Sequence, residues 1–201
     1  DLVRSRGLGD VYKRQGYAEM IKHGLLSSEK EYNELLNFHI LDANLESLLP
    51  LLEKSVKVKE RIVEEDPKEH GIRRALNLGH TAGHAFEGLA LERDTPMPHG
   101  YAVAYGMLVE MILSHTLLQY PSAELYRYAS YLKDNGYGAP AIDCKDYDAL
   151  VEYMRHDKKN LTRDTINFTL LASPGNPLID RTASESDIRA SLDIFRDLMG
   201  I

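Results

Sequence analysis

The chain has 201 residues, enough for one large or two small domains, and a hydrophobic fraction of 43% gives it the means to bury a core. Acids outnumber bases 31 to 24, for a net charge of -7, which speaks against a general nucleic-acid binder with its basic face. Cys144 is the single cysteine, so no intramolecular disulfide can form, as suits a reducing cytoplasm. The longest apolar stretch, Tyr101 to Leu113, is shorter than the ~20 residues a bilayer span needs and contains Glu110, so no membrane segment is read.

Residues 1–15, DLVRSRGLGDVYKRQ, show no sustained period of 2 or 3.6 and are read as a foreign or disordered segment, outside the fold. From Gly16 the pattern is helical. GYAEMIKHGLL carries apolar residues at Ala18, Ile21 and Leu25, and Ser27 is expected to cap a second helix. Asn44 is a candidate cap for the next one, with Pro50 near its start and Leu52, Val56, the Lys59 stem and Val63 as its apolar stripe. A helix is predicted from about Arg74 to Leu89 and another from Pro98 to about Leu118, ended by Tyr120-Pro121. Ser122 starts a helix reaching Asp134, and Asp146 starts a short one towards His156. Ile166, Phe168 and Leu170 alternate in a strand, Pro174 to Pro177 is a loop, and Ser184 with Asp187 forms an acidic variant of the capping box before the final helix. The whole is read as one mainly α domain, 16–201, with a possible small strand pair.

The densest cluster of reactive side chains runs from Glu69 to His84. On one continuous helix, Arg73, Asn77, His80 and His84 fall on a single stripe. That stripe suits a metal or anion site better than a packing surface, although a bare HxxxH pair is as common on a solvated face. Gly79 and Gly83 each weaken a helix by about 1 kcal/mol relative to alanine, which makes sense where something approaches the backbone closely. Spacing alone pairs His80 with His84 on one metal. His99 begins the next helix and could swing towards them, while His23, His39, His70, His115 and His156 are read as surface or core-edge residues. Glu19 and Lys22, three residues apart, read first as an ordinary helix ion pair, but a carboxylate with two histidines also makes a three-ligand zinc set with an open fourth position.

AEMIKHGLL, the block from Lys59 to Glu87 that ends in GHTAGHAFE, PHGYAVAYGM and MRHDKKN together resemble the motif blocks of 3-dehydroquinate synthases, in their order and at about their spacing. The resemblance covers Gly16 to the end. It implies the helical C-terminal domain of the dehydroquinate synthase-like and iron-containing alcohol dehydrogenase-like fold. It implies zinc, or another divalent ion such as cobalt, on Glu19, His80 and His99. It places substrate contacts on Lys22, Lys59, Arg73, Asn77 and His84, with Glu69 nearby and a lysine of DKKN at Lys158, or else Lys159. His84 thereby becomes a substrate contact rather than a ligand, against the spacing argument. The family's NAD-binding domain has no counterpart in these residues, which are therefore expected to be a fragment without activity of its own. The activity implied for the whole enzyme is the conversion of 3-deoxy-D-arabino-heptulosonate 7-phosphate to 3-dehydroquinate and phosphate, in the shikimate pathway, by a cytoplasmic homodimer. Another sugar-phosphate cyclase, a metal-dependent alcohol or glycerol dehydrogenase, and a non-catalytic metal-binding module are the alternatives.

Overall fold

The computed structural model describes residues 2–157 and 165–201, with side chains from Gly9 onward. The helices are α1 (Leu2–Ser27), α2 (Glu29–Leu36), α3 (Leu45–Glu65), α4 (His80–Glu92), α5 (His99–Leu118), α6 (Ser122–Asp134), α7 (Tyr147–Arg155) and α8 (Glu185–Met199). Strands β1 (Ile166–Ser173) and β2 (Asn176–Ala183) form an antiparallel pair, with Ile166 opposite Ala183 and Ser173 opposite Asn176. Short 3-10 turns at Ile40–Asp42, Ile72–Asn77 and Cys144–Asp146 complete the described elements.

Helix α5 is the axis of the core. Every residue from Ala102 to Ser114 is buried, and α1, α4, α6, α8 and β1 all pack against it. Its length and apolar composition would suffice to cross a bilayer, but 72% of its most apolar stretch is buried within the protein, as in a central core helix. Such a helix has no polar face because neighbours cover it on all sides.

Several local readings hold. Asn44 accepts a hydrogen bond from the Ser47 backbone N–H at 2.9 Å and caps α3. Ser184 and Asp187 form both halves of a capping box on α8. Others shift. The cap of α2 is Ser28, not Ser27. Helix α1 begins at Leu2 rather than Gly16; its part from Lys13 onward is packed, and extending an existing helix by further turns does not require an apolar stripe. Lys13 donates to the Ala43 carbonyl at 3.1 Å, Arg14 Nε donates to the Asn135 carbonyl at 2.8 Å, and the Tyr137 hydroxyl donates to the Arg14 carbonyl at 2.8 Å. The buried stripe of α3 is Leu51, Ser55, Val58 and Ile62, one step round from the expected one, and leaves Leu52 and Val56 exposed. In β1, Ile166 to Leu171 are all buried, so the strand is covered on both faces rather than alternating. Pro177, expected in the loop, already belongs to β2.

The largest departure lies between Arg74 and Leu89. There is no continuous helix. A 3-10 turn ends at Asn77, Gly79 takes a left-handed φ of +79°, and α4 starts afresh at His80. The new N-terminus is satisfied by a buried carboxylate from the middle of α5: Glu110 accepts from the Gly79 N–H at 2.6 Å and the Ala82 N–H at 3.3 Å. The glycines serve this crossing. A Cβ on Gly106 would sit 2.0 Å from the Gly79 carbonyl oxygen, and one on Gly83 would sit 3.0 Å from the Ala102 carbonyl oxygen. What approaches the α4 backbone is therefore α5, not a ligand.

Candidate metal and substrate site

The break at Gly79 moves the polar residues off a single helical stripe but keeps them around one hollow. A pocket of about 300 Å³ is lined by Glu19, Lys22, His23, Lys59, Glu69, Arg73, Leu76, Asn77, His80 and His99. Helix α1 supplies the first three, α3 supplies Lys59, the 3-10 segment and the loop before it supply Glu69 to Asn77, and the first residues of α4 and α5 supply the two histidines. Seven of the nine site residues expected from the sequence thus meet here. His84 lies one turn along α4 from His80, outside the pocket lining, and Lys158, with its alternative Lys159, lies outside the described residues.

One ligand atom from each of Glu19, His80 and His99 lies within 4.8 Å of the others. His80 Nε2 stands 3.9 Å from Glu19 Oε1, and the His80 and His99 ring centroids are 5.4 Å apart. Glu19 Oε2 accepts from Lys22 Nζ at 2.6 Å, whereas Oε1 is buried with no hydrogen-bond partner. An orphaned carboxylate oxygen beside two imidazoles is the chemistry a divalent cation completes, so these residues fit one. Burial opposes ionisation of Glu19, but the charge and hydrogen bond of Lys22, followed by His80 and His23, outweigh it and hold the carboxyl below its usual range. The expected ion pair is real, and it keeps Glu19 in the ligating, deprotonated form. His80 Nδ1 lies 3.1 Å from the Leu78 carbonyl oxygen, which orients the ring and leaves Nε2 towards Glu19.

A second group, His84, Glu87 and His99, also has ligand atoms within 4.8 Å of one another; no such group among the described residues contains both His80 and His84. His84 Nδ1 instead pairs with Asp157 Oδ2 at 3.1 Å. Asp157 itself thus stands at the edge of the site.

The wall of the pocket that carries Arg73 and Asn77 is built on Asp66. Its carboxylate accepts from the backbone N–H groups of His70, Gly71 and Arg73 at 3.0, 2.7 and 3.2 Å, and those bonds, Gly71's foremost, hold its carboxyl below the usual range. Arg73 Nη1 donates to the Pro67 carbonyl at 2.8 Å, and Asn77 Nδ2 lies 3.5 Å from Glu69 Oε1. Glu69 itself is held at a left-handed φ of +58°.

Sequence reasoning missed His23, Asp66, Glu87, Glu110 and Asp157. His23 is buried in the wall of the pocket, with Nδ1 2.7 Å from Ser55 Oγ and Nε2 buried without a partner. Its place one residue after Lys22 was the available signal, but a lone histidine on an apolar helix is usually core.

Residues 16–160 match the family described as 3-dehydroquinate synthase C-terminal. A 3-dehydroquinate synthase of Parabacteroides distasonis is 50% identical over 92% of this chain and 52% of its own length. One from Leptospira interrogans is 37% identical over 86% of this chain and 47% of its own length. The chain thus spans about half the length of the curated relatives it matches. Among solved structures, 2-deoxy-scyllo-inosose synthase complexed with carbaglucose-6-phosphate, NAD+ and Co2+ aligns with a TM-score of 0.75 at 20% identity, over 94% of this chain and 53% of that one. The 2-epi-5-epi-valiolone synthase of Streptomyces hygroscopicus subsp. jinggangensis, with NAD+ and Zn2+ bound, aligns with a TM-score of 0.72 at 22% identity, over 92% of this chain and 51% of that one, and both show the same fold. Profile match, sequence identity and fold agree that the chain belongs to the 3-dehydroquinate synthase family, over that family's C-terminal region.

Proposed function

We propose that residues 16–201 are the metal- and substrate-binding domain of a 3-dehydroquinate synthase, the lyase that converts 3-deoxy-D-arabino-heptulosonate 7-phosphate to 3-dehydroquinate and phosphate on the route to chorismate and the aromatic amino acids. The observation that carries this reading is the meeting of Glu19, His80 and His99 at the rim of a pocket walled by Lys22, Lys59, Arg73 and Asn77. The cyclases that share the fold were solved with NAD+ and Co2+ or Zn2+, which supports the same requirements here. A zinc or cobalt ion on the three ligands would supply Lewis acidity towards a substrate hydroxyl, and NAD would supply the hydride chemistry.

The residues of this chain do the rest. Lys22 keeps Glu19 ionised. Lys59 and Arg73 offer fixed cations to the substrate's carboxylate and phosphate, where charge-assisted hydrogen bonds are strongest, and Lys158 is proposed as a third. Asn77 and His84 orient the phosphate end; Asp157 accepts from one ring nitrogen of His84 and leaves the other for substrate. The cationic wall lies within a chain of net charge -7, so it concentrates positive potential where an anionic sugar phosphate would enter. A related cyclase acting on another sugar phosphate is the second reading, favoured by fold alone; the 50% identical relative favours the synthase. The complete protein would be a cytoplasmic homodimer.

The described residues contain one two-stranded antiparallel sheet and no βαβ nucleotide-binding unit. The test is therefore complementation: these 201 residues are mixed with the separately expressed N-terminal half of the Parabacteroides distasonis relative, NAD, a divalent metal and the heptulosonate phosphate. Formation of 3-dehydroquinate by the mixture and not by the chain alone is expected. Turnover by the chain alone would overturn the division of labour, and a mixture that binds NAD and metal but turns over only another sugar phosphate would overturn the substrate.

A further inference from the structure

His99 stands where two potential ligand sets overlap. It belongs with Glu19 and His80 on one side and with His84 and Glu87 on the other. An imidazole has two nitrogens, and the use of one decides what the other can do. Here Nδ1 lies 3.1 Å from Glu87 Oε1. Glu87 follows His80 by two helical turns on α4, so it shares the face that looks towards the start of α5, where His99 is the first residue after Pro98. Its side chain is 29% exposed against 48% for His99, so the carboxylate is the better fixed of the two. An ionised carboxylate can only accept, which makes Nδ1 the protonated nitrogen and leaves the Nε2 lone pair free. The other set is weaker as an ion site: His84 is already engaged by Asp157, and Glu87 by His99.

We propose that Glu87 is a positioning residue for the metal centre, fixing His99 in the tautomer and orientation that present Nε2 to an ion shared with Glu19 and His80. This rests on the reading of Glu19, His80 and His99 as the ligands. Carboxylate–histidine pairs of this kind raise ligand basicity and remove rotational freedom, and their loss typically weakens metal binding about 10–100-fold. Glu87 donates no atom to the ion, so its removal changes affinity without changing the set of ligating atoms.

Cobalt(II) is the probe, because its visible absorption bands report ligand number and geometry while a titration reports affinity. Wild type, Glu87→Ala, Glu87→Gln, His80→Ala and His99→Ala are titrated with Co2+ at neutral pH, with circular dichroism to verify folding. Expected are a roughly 10–100-fold weaker Co2+ affinity in Glu87→Ala with band positions and intensities retained, and partial recovery in Glu87→Gln, whose amide oxygen still accepts from Nδ1. His80→Ala and His99→Ala should lose the wild-type bands altogether. A band pattern in Glu87→Ala altered as in His99→Ala would make Glu87 a ligand and overturn the proposal. So would an affinity equal to wild type. Cobalt binding by wild type that survives unchanged in His80→Ala would instead strike at the ligand assignment, and the inference about Glu87 would fall with it.

Discussion

His23 shows how one buried side chain couples the site to pH. Burial, and next the neighbouring Lys22 charge, push its imidazole down to about 4. In the unfolded chain the ring would titrate near 6.5. The folded value is the lower one, so the unfolded state binds the extra proton first. The neutral ring costs nothing above about pH 6.5, and stability is lost as pH falls from there to about 4. That depression, from 6.5 to about 4, is equivalent to about 3 kcal/mol. Denaturant melts at pH 7 and pH 4.5 should show a smaller acid loss in His23→Gln than in the parent. Equal losses would mean that the ring is not held neutral. The same scale separates ligand from substrate contact at the two α4 histidines. Purified His80→Ala should lack metal that wild type retains, whereas His84→Ala should keep it, because His84 faces Asp157 rather than Glu19. Metal analysis of the two proteins decides. The spacing rule on a continuous helix had joined these histidines. Both do lie one turn apart on α4, but the His84 ring is drawn to Asp157 whereas His80 Nε2 faces Glu19, and spacing along one helix cannot foresee partners so far away in sequence.

At the scale of elements, the α4–α5 crossing determines where the proposed ligands stand, since His80 and His99 are the first residues of those helices. The crossing is close enough that Gly106 has no room for a methyl group: its Cβ would lie 2.0 Å from the Gly79 carbonyl oxygen and 2.6 Å from the Gly83 nitrogen. Both obstacles are backbone and cannot rotate away. Gly106→Ala should therefore destabilise by about 3 kcal/mol or more, at the upper end of overpacking effects, and should lower metal affinity by separating the two histidines. Thermal unfolding with and without Zn2+ measures both. Caps, the strand and most helix bounds were legible because they depend on local chemistry: Asn44, Ser184 and Asp187 act on residues three positions away. The apolar stripe of α3 was not. Leu48, Leu49, Leu51 and Leu52 offer two adjacent stripes, and the packing of α1 and the Ile72–Asn77 turn selects the one that is buried. The role of Glu110 was equally hidden, because its partners are 31 and 28 residues away in sequence. For the same reason the glycines of GHTAGH looked like room for a ligand until the second helix was in view.

At the scale of the whole molecule, the proposed ligands come from α1, α4 and α5, the helices that enclose one side of the core. An ion held by all three joins elements far apart in sequence, so it binds the folded chain and has little hold on the unfolded one. Linkage then requires stabilisation by RT ln(1 + [L]/Kd), about 2.7 kcal/mol when free metal stands at 100 times Kd. For a chain of this size that amounts to a rise in melting temperature of roughly 5–10 °C. The increment should be reversed by a chelator and should grow with the logarithm of metal concentration. It should vanish in Glu19→Ala, which removes the only anionic member of the proposed ligand set and breaks the 2.6 Å ion pair with Lys22. That variant will also have a lower metal-free melting temperature, because a largely buried ion pair has been broken. The diagnostic quantity is therefore the metal-induced increment, not the absolute value. A zinc-dependent rise of equal size in wild type and Glu19→Ala would show that the ion binds elsewhere, and the second group, His84, Glu87 and His99, would be the first place to look.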